Sequence, residues 1–165
     1  MTSRARLLLL GFVAVAAAAA VLYAQAPKKT AIAYPEGYRK WIHVKSMVIF
    51  SKENKLFERF GGMHNIYVNE LGWKALRVGS AFPDGATFVF DLYDVRTYQG
   101  AIEARGRKFL AVMKKNAKLY PNTGGWGFEV FKGYEQAGSL NDMNQCFSCH
   151  SQQKRRDYVF SEFAE

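Results

Sequence analysis

The segment from Ala86 to Val95 alternates apolar and polar side chains, and this alternation constrains the fold more than any other feature of the sequence. One set of alternate positions holds Phe88, Phe90 and Leu92. The other set holds Thr87, Asp91 and Tyr93. Because successive side chains of a strand point to opposite faces, the segment predicts a β-strand with these two sets on its two faces. Pro83-Asp84-Gly85 supplies a turn immediately before it.

Four further segments are rich in aromatic and β-branched residues and are bounded by Gly, Pro and Asn. They are residues 41–50, 64–69, 109–114 and 126–132. Short runs of this composition, separated by turn residues, are typical of an antiparallel sheet. The sequence therefore predicts a mainly β fold built on one antiparallel β-sheet.

Helical signals are fewer than strand signals. Residues 70–78 predict a short helix that ends at Gly79. Asn141 is expected to cap a second helix, with Asp142 in its first turn. We expect this helix to carry the two cysteines and residues 151–163 to continue as helix. The prediction is thus a sheet with a few short helices and a C-terminal helical segment.

The first 26 residues predict a signal peptide. Two arginines precede an apolar run from Leu7 to Tyr23, and Ala24-Gln25-Ala26 matches the pattern that signal peptidase accepts. An uncleaved membrane anchor is the alternative, because the run approaches the roughly 18–20 residues that span a bilayer. Residues 27–165 then form a single periplasmic domain, opening on a linker or arm at 27–35.

The net charge is +9, and the positive residues are scattered along the chain. No nucleic-acid-binding module accompanies them, and an exported protein rarely meets nucleic acid. We therefore predict a solvated basic surface and no nucleic-acid partner.

The two cysteines lie in Cys146-Phe147-Ser148-Cys149-His150, which fits the c-type haem attachment pattern C-x-x-C-H. Two thiols about one helical turn apart can each add to one haem vinyl group, and the adjacent His150 then becomes the proximal iron ligand. The alternatives are a redox pair, which needs a βαβ setting, or half of a zinc site, for which His43 and His64 are the other histidines. The pattern predicts one covalently bound haem c.

The sixth iron position separates the functions open to such a protein. A His or Met there makes an electron-transfer cytochrome, whereas an open position makes a gas binder or a catalyst. The candidate sixth ligands are His43, His64, Met47, Met63, Met113 and Met143. None lies in a pattern that marks it as a ligand, so the sequence leaves this choice open.

Five segments together resemble the cytochrome P-460 family, and most closely its cytochromes c′-beta. They are residues 34–41, 64–69, 82–85, 124–129 and the haem motif 146–150. The resemblance covers nearly all of the chain from Tyr34 to Phe163. It implies an antiparallel β domain, a homodimer and a pentacoordinate haem with a distal pocket over an open iron site.

Members of that family that oxidise hydroxylamine resemble one another in a lysine crosslinked to the haem and a distal glutamate. The resemblance places Phe90 at the lysine position and Leu110 or a neighbour at the glutamate position. Lys74, on the predicted helix, is the alternative crosslinking residue. An apolar distal wall implies a pocket capped by Phe90 and, more weakly, Phe60, which favours nitric oxide and carbon monoxide over oxygen. A purely structural role for Phe90 in the core is the competing interpretation.

The leading hypothesis is a periplasmic cytochrome that binds nitric oxide and carbon monoxide for sequestration or detoxification. Its alternatives are a hydroxylamine or nitric oxide oxidoreductase and a six-coordinate electron-transfer cytochrome with protein redox partners. Arg39, Arg77 or Arg105 is expected to neutralise a haem propionate.

Overall fold

The computed structural model describes residues 32–163. Within this range the strands form one five-stranded antiparallel sheet whose spatial order follows chain order. The strands are β1 (Ile42–Ile49), β2 (Gly62–Val68), β3 (Thr87–Tyr98), β4 (Ala101–Lys115) and β5 (Trp126–Lys132). The mainly β prediction and all five strands are confirmed, although β4 begins before the predicted residue 109. The predicted signal peptide, residues 1–26, lies outside the described residues.

Short helices connect and follow the strands. They are α1 (Phe57–Phe60), α2 (Glu70–Val78) and α3 (Asn144–His150), with 3₁₀ turns at Tyr38–Lys40, Pro121–Thr123 and Ser151–Arg156. The predicted helix α2 is confirmed together with its ends. The Gly72 amide donates to the Asn69 side chain at 3.0 Å, and Gly79 ends the helix with a φ of 66°. No helix within residues 32–163 has both the length and the hydropathy to span a membrane.

The C-terminal segment differs from its prediction in two places. Helix α3 begins at Asn144, and Asn141 does not cap it; the Asp142 carboxylate accepts the Asn144 amide at 2.9 Å. The helix predicted over 151–163 is wrong beyond Arg156, because the chain leaves helical geometry at the next residues. Asp157 and Tyr158 have φ values of 48° and 67°, which turn the chain back towards the sheet.

One face of the sheet, which we call the motif face, carries Phe88, Phe90 and Leu92 of β3. Its buried core comes from β2–β5 and α2, and includes Val68, Leu76, Phe88, Met113, Trp126 and Phe128. Cys146 and Phe147 of α3 pack against this core. The helix that carries the cysteine motif is therefore held against the sheet by apolar burial, the main favourable contribution to folding.

The opposite face, which we call the arm face, is covered by the chain that precedes β1. Ile32 and Tyr38 are buried there, and Tyr34 and Trp41 pack beside them. They lie on Val89, Leu110, Val112, Tyr120 and Phe131. From Ile32 onward the segment predicted as a linker or arm is a packed arm, and it gives β3 a buried surface on both of its faces.

A buried ion pair lies under this arm. Arg107 donates through Nε to Asp91 at 2.7 Å, and the two side chains are 4% and 1% exposed. The Asp91 carboxylate also accepts hydrogen bonds from the hydroxyls of Tyr38 and Tyr93. The guanidinium lies 4.9 Å from the centre of the Tyr134 ring. Asp91, on the polar side of β3 in the sequence, is thus buried because its charge is matched by Arg107 and by hydroxyl donors.

Replacing Asp91 by leucine should lower the free energy of unfolding by about 3–5 kcal/mol, since it leaves the Arg107 guanidinium buried without its counter-charge. The matched control is Glu103→Ala, which removes the exposed ion pair with Arg96 and should cost under about 1 kcal/mol. Urea denaturation followed by circular dichroism measures both. Equal losses in the two variants would show that the buried ion pair contributes no more to stability than the exposed one.

Candidate functional site

Helix α3 brings the cysteine motif together on one short element. Cys146 and Cys149 are three residues apart, so their side chains project from neighbouring positions on the helix surface. Cys146 is half-buried against the motif face, Cys149 is exposed, and both are free thiols in the structure. His150 is the last residue of the helix. Cys146 thus faces the core of the motif face, whereas Cys149 faces solvent.

The environment of Cys146 does not resemble that of a redox cysteine. Burial raises the pKa of its thiol to about 11, and the positive charge of Arg59 opposes this only in part. A catalytic cysteine of a redox pair needs a lowered pKa, because the thiolate is the nucleophile. Cys146 therefore stays a neutral thiol at physiological pH, and the redox-pair alternative loses support.

His150 is held in one orientation by a backbone carbonyl. Its Nδ1 lies 2.8 Å from the Tyr158 oxygen, and because a carbonyl can only accept, Nδ1 carries the proton. The ring lies 5.0 Å from both Phe128 and Phe160, and its burial lowers its pKa. The imidazole is therefore neutral with an Nε2 lone pair, the state in which histidine ligates iron, with the outer hydrogen bond typical of metal ligands.

The turn that supplies this carbonyl is anchored through Asp157. Its carboxylate accepts from Lys115 at 2.6 and 2.8 Å and from the Phe82 amide at 2.9 Å, and its own carbonyl accepts from the Trp126 indole at 2.8 Å. Left-handed φ values are unfavourable for residues other than glycine, so Asp157 and Tyr158 keep them only because these contacts hold them. The sheet thus fixes the direction of the carbonyl that orients the histidine.

Gly124 provides the space that the turn needs. A Cβ at this position would come within 2.1 Å of the Tyr158 ring, and its φ of 65° is itself left-handed. Only glycine lets the aromatic ring of Tyr158 lie directly on the backbone before β5.

An uncovered apolar row crosses the motif face beside the helix that carries the cysteines. It consists of Ile66, Phe90, Ala111 and Val130, which pair in sequence across β2, β3, β4 and β5. All four are partly exposed, whereas the next row, Val68, Phe88, Met113 and Phe128, is buried. We call this row the apolar stripe. Strands lie about 4.8 Å apart, so the stripe spans roughly 14 Å of apolar surface.

A group of aromatic rings contacts Phe90, the member of the stripe that lies on β3. Phe90 lies 5.7 Å from Phe60 of α1, 5.9 Å from Phe109 and 4.9 Å from His64, measured between ring centres. The structure therefore brings together Phe90 and Phe60, the two predicted distal residues; their role beside a haem stays a prediction. Phe109 joins them because it shares a face with Ala111 on β4, which its alternate spacing in the sequence could have indicated.

The residues considered for a crosslink or a distal acid lie elsewhere. Leu110 points to the arm face, where it pairs with Asp91 and Phe131, and the residue beside Phe90 on β4 is Ala111. Lys74 is 71% exposed on α2 and pairs with Glu70 at 3.4 Å. Among the described residues the buried carboxylates are Asp91 and Glu129, which lie on the same side of the sheet as Leu110.

The candidate sixth ligands are scattered. His43 and Met47 are exposed on β1, Met113 belongs to the buried row, and Met143 precedes α3. Met63 alternates with His64 and faces the arm side. Only His64 combines burial with a ring contact to Phe90.

The three arginines proposed for a propionate are also apart from the stripe. Arg39 bonds to Asp91 and Tyr93 on the arm face, Arg77 lies over Trp73, and Arg105 is exposed in the β3–β4 hairpin. The arginine whose charge reaches the motif is Arg59 on α1. The position of Arg59 near the motif could not be predicted from the sequence, because the four-residue helix α1 was not predicted.

The chain matches the family model described as Cytochrome P460 over residues 35–161. It belongs to the cytochrome P460 family. Its cofactor is therefore a haem, and it is a cytochrome. A comparison with curated proteins finds no match.

The residues present fit a haem. The His150 ring is neutral, oriented through Nδ1 and free at Nε2, and the apolar stripe is a half-exposed surface that a flat apolar macrocycle would cover. In the part of the chain that the structure describes, no three His, Cys, Asp or Glu side chains are grouped to hold a metal ion by themselves. His150 and the stripe are the features that suit this cytochrome P460 domain to its cofactor.

Proposed function

We propose that this cytochrome is an exported gas-binding protein that carries one haem c and binds nitric oxide and carbon monoxide at the open side of the haem. The observation that supports it most directly is the apolar stripe, in which Phe90 contacts the rings of Phe60 and Phe109. These side chains form a dry wall on the same face of the sheet as the cysteine motif.

In this proposal Cys146 and Cys149 are the covalent anchors. Each thiol would add across one haem vinyl group: the sulfur would bond to one vinyl carbon and the thiol proton would go to the other, giving a thioether. Two such bonds hold the cofactor against a stripe that does not enclose it. This suits the position of α3, where Cys149 is exposed and Cys146 only half-buried.

His150 is the proximal ligand in this proposal. The Tyr158 carbonyl holds Nδ1, so Nε2 is the atom presented to the iron, and Phe128 and Phe160 prevent the ring from rotating away. When bound, the haem would supply an iron centre that can take a diatomic gas. The chain's own contribution is to orient one ligand and to keep the other side apolar.

The choice of gas follows from the chemistry of the stripe. Ile66, Phe90, Ala111 and Val130 carry no hydrogen-bond donor. Oxygen on ferrous haem gains from a donor because its complex carries partial negative charge, whereas nitric oxide and carbon monoxide depend less on one. The wall therefore favours nitric oxide and carbon monoxide.

The position of Phe90 weighs against a crosslinked enzyme. It occupies the place that the resemblance gives to the crosslinking lysine, and its side chain lies on the motif face. Lys74, the alternative, faces solvent, and the buried carboxylates lie behind the sheet. A hydroxylamine oxidoreductase of the crosslinked type thus has fewer of its groups in place than a gas binder.

We also propose that the protein is periplasmic and forms a homodimer. The predicted signal peptide supports the periplasmic location, and the family resemblance supports the homodimer. β1 is an edge strand of the described sheet, and Met47 and, just beyond it, Phe50 are 46% and 67% exposed. Exposed apolar side chains on an edge strand are a surface that a second copy would bury.

Mass spectrometry of the purified protein should show one haem added to the mature chain. Cys146→Ala and Cys149→Ala should each keep a single thioether, and the double variant should release its haem in acid acetone. Ser148→Ala, between the two cysteines, is the control and should retain both bonds. Haem that is extractable from the unaltered protein would contradict covalent attachment.

The ferrous protein should give a broad high-spin visible spectrum that changes sharply with carbon monoxide and with nitric oxide. The physical reason is that the stripe side chains Ile66, Phe90, Ala111 and Val130 carry no group that could ligate iron. A band shifted far to the red would instead indicate a haem crosslinked to a side chain. A low-spin spectrum indifferent to carbon monoxide would indicate a filled sixth position and an electron-transfer protein.

Replacing Phe90 by leucine should speed carbon monoxide association about tenfold, equivalent to about 1.4 kcal/mol of activation free energy, because it removes ring atoms from the distal wall. Phe131→Leu on the arm face is the matched control and should leave the association rate unchanged while destabilising the fold. Flash photolysis measures both rates. Equal rates in the Phe90 variant and the parent protein would place Phe90 in the core and not in the pocket.

A further inference from the structure

The haem motif leads directly into a short basic segment. Residues 143–156 contain three basic side chains and no acid. The basic side chains are Lys154, Arg155 and Arg156, and all three lie in the 3₁₀ turn Ser151–Arg156 that continues from α3. Such a turn rises about 2 Å per residue, so Lys154 and Arg155 are no more than roughly 10 Å along it from His150. Positive charge is therefore concentrated beside the proposed iron ligand.

Two of these three charges are not matched by an acid. Arg156 pairs with Glu162 and also bonds to the Gln153 side chain. Lys154 and Arg155 are exposed, and neither forms an ion pair within residues 32–163. Arg59, exposed on α1, adds a further positive charge that reaches Cys146. An uncompensated group of like charges at a cofactor site attracts a negatively charged partner over a longer range than any contact.

An exposed aromatic ring lies beside the same charges. The ring centre of Phe160 is 5.0 Å from that of His150, and the Phe160 side chain is 45% exposed. Cys149, on the last turn of α3, is exposed as well. An apolar centre with charged residues around it is the usual composition of a protein–protein interface. A protein that docked over Phe160 would be separated from the proposed iron ligand by a single aromatic ring.

The carboxylates of the cofactor do not account for these charges. The two vinyl groups and the two propionates of a haem extend from opposite edges of the macrocycle. In the proposed attachment the vinyl edge lies against Cys146 and Cys149, so the propionates would point away from the residues next to the motif. The positive charges beside Cys149 are therefore left for an external partner.

We propose that the surface formed by Cys149, Lys154, Arg155 and Phe160, which we call the basic rim, docks an acidic one-electron carrier protein that reduces the haem. The inference rests on the proposed function, because carbon monoxide binds only to ferrous iron. An exported protein lies outside the reducing environment of the cytoplasm, so its electron has to be delivered. One electron would pass from the reduced carrier to the ferric haem; the carrier would be oxidised, and no bond would form or break.

The test uses the full haem-loaded protein in its ferric form and two reductants. Reduced plant-type ferredoxin is the acidic protein probe. The lumiflavin semiquinone, generated by a laser flash, is a small uncharged probe that needs no docking surface. Haem absorbance gives the second-order rate constant of reduction for each probe. Complementary surface charge acts mainly on the rate of encounter, so this rate constant is the quantity to measure.

We expect the double variant Lys154→Glu and Arg155→Glu to slow reduction by ferredoxin about tenfold at an ionic strength of about 0.1 M, where the Debye length is about 10 Å. At about 1 M the Debye length is about 3 Å, and the difference should shrink to less than about twofold. Reduction by the flavin should be unchanged under both conditions. The matched control is Lys40→Glu with Arg105→Glu, which changes the net charge equally at two exposed residues, one in the arm before β1 and one in the β3–β4 hairpin. It should slow ferredoxin by less than about twofold.

Four results would overturn the basic rim as a docking surface. The rim and control variants could slow ferredoxin by the same factor, which indicates overall charge, or the parent rate could be independent of salt. The flavin could slow as much as ferredoxin, which indicates a change at the haem itself. A rim variant that sediments as a smaller species than the parent protein would assign the rim to a second copy of the chain.

A milder variant keeps the test decisive. If the charge-reversed protein does not accumulate with haem, Lys154→Gln with Arg155→Gln takes its place and should slow ferredoxin about threefold at about 0.1 M. Failure of the dithionite-reduced parent protein to bind carbon monoxide is a separate outcome. It overturns the proposed function, whereas the ferredoxin rates decide on the basic rim.

Discussion

The hydrogen bond from His150 Nδ1 to the Tyr158 carbonyl is the contact on which the proposed chemistry of this domain depends. It requires the chain to reverse directly after the 3₁₀ turn, and the reversal uses two residues at left-handed φ values. Neither is glycine, so the turn is stable only because Asp157 is bonded to Lys115, Phe82 and Trp126. The orientation of one imidazole is thus set by strands β4 and β5, far away in sequence, which is how a small domain can hold a ligand rigidly without enclosing it.

The two faces of the sheet differ in how completely they are covered. On the arm face, Asp91 and Arg107 neutralise one another beneath the N-terminal arm, and Val89, Leu110 and Phe131 are fully covered. The motif face is covered only in part, and the apolar stripe across β2 to β5 is left partly exposed.

Much of this architecture could be predicted from the sequence, because alternation is a local signal. β5 has the bounds that its aromatic spacing predicts, and α2 has both of its predicted ends. The pairing of β3 with β4 could not be predicted, because the predicted strands ended at residue 95 and began again at residue 109. The hairpin turns at Gln99 and Gly100, both with positive φ. Register shifts between Leu92 and Tyr93 and between Tyr93 and Val95 then place Ala111 beside Phe90. The reversal at Asp157 was also missed, because long-range bonds impose it.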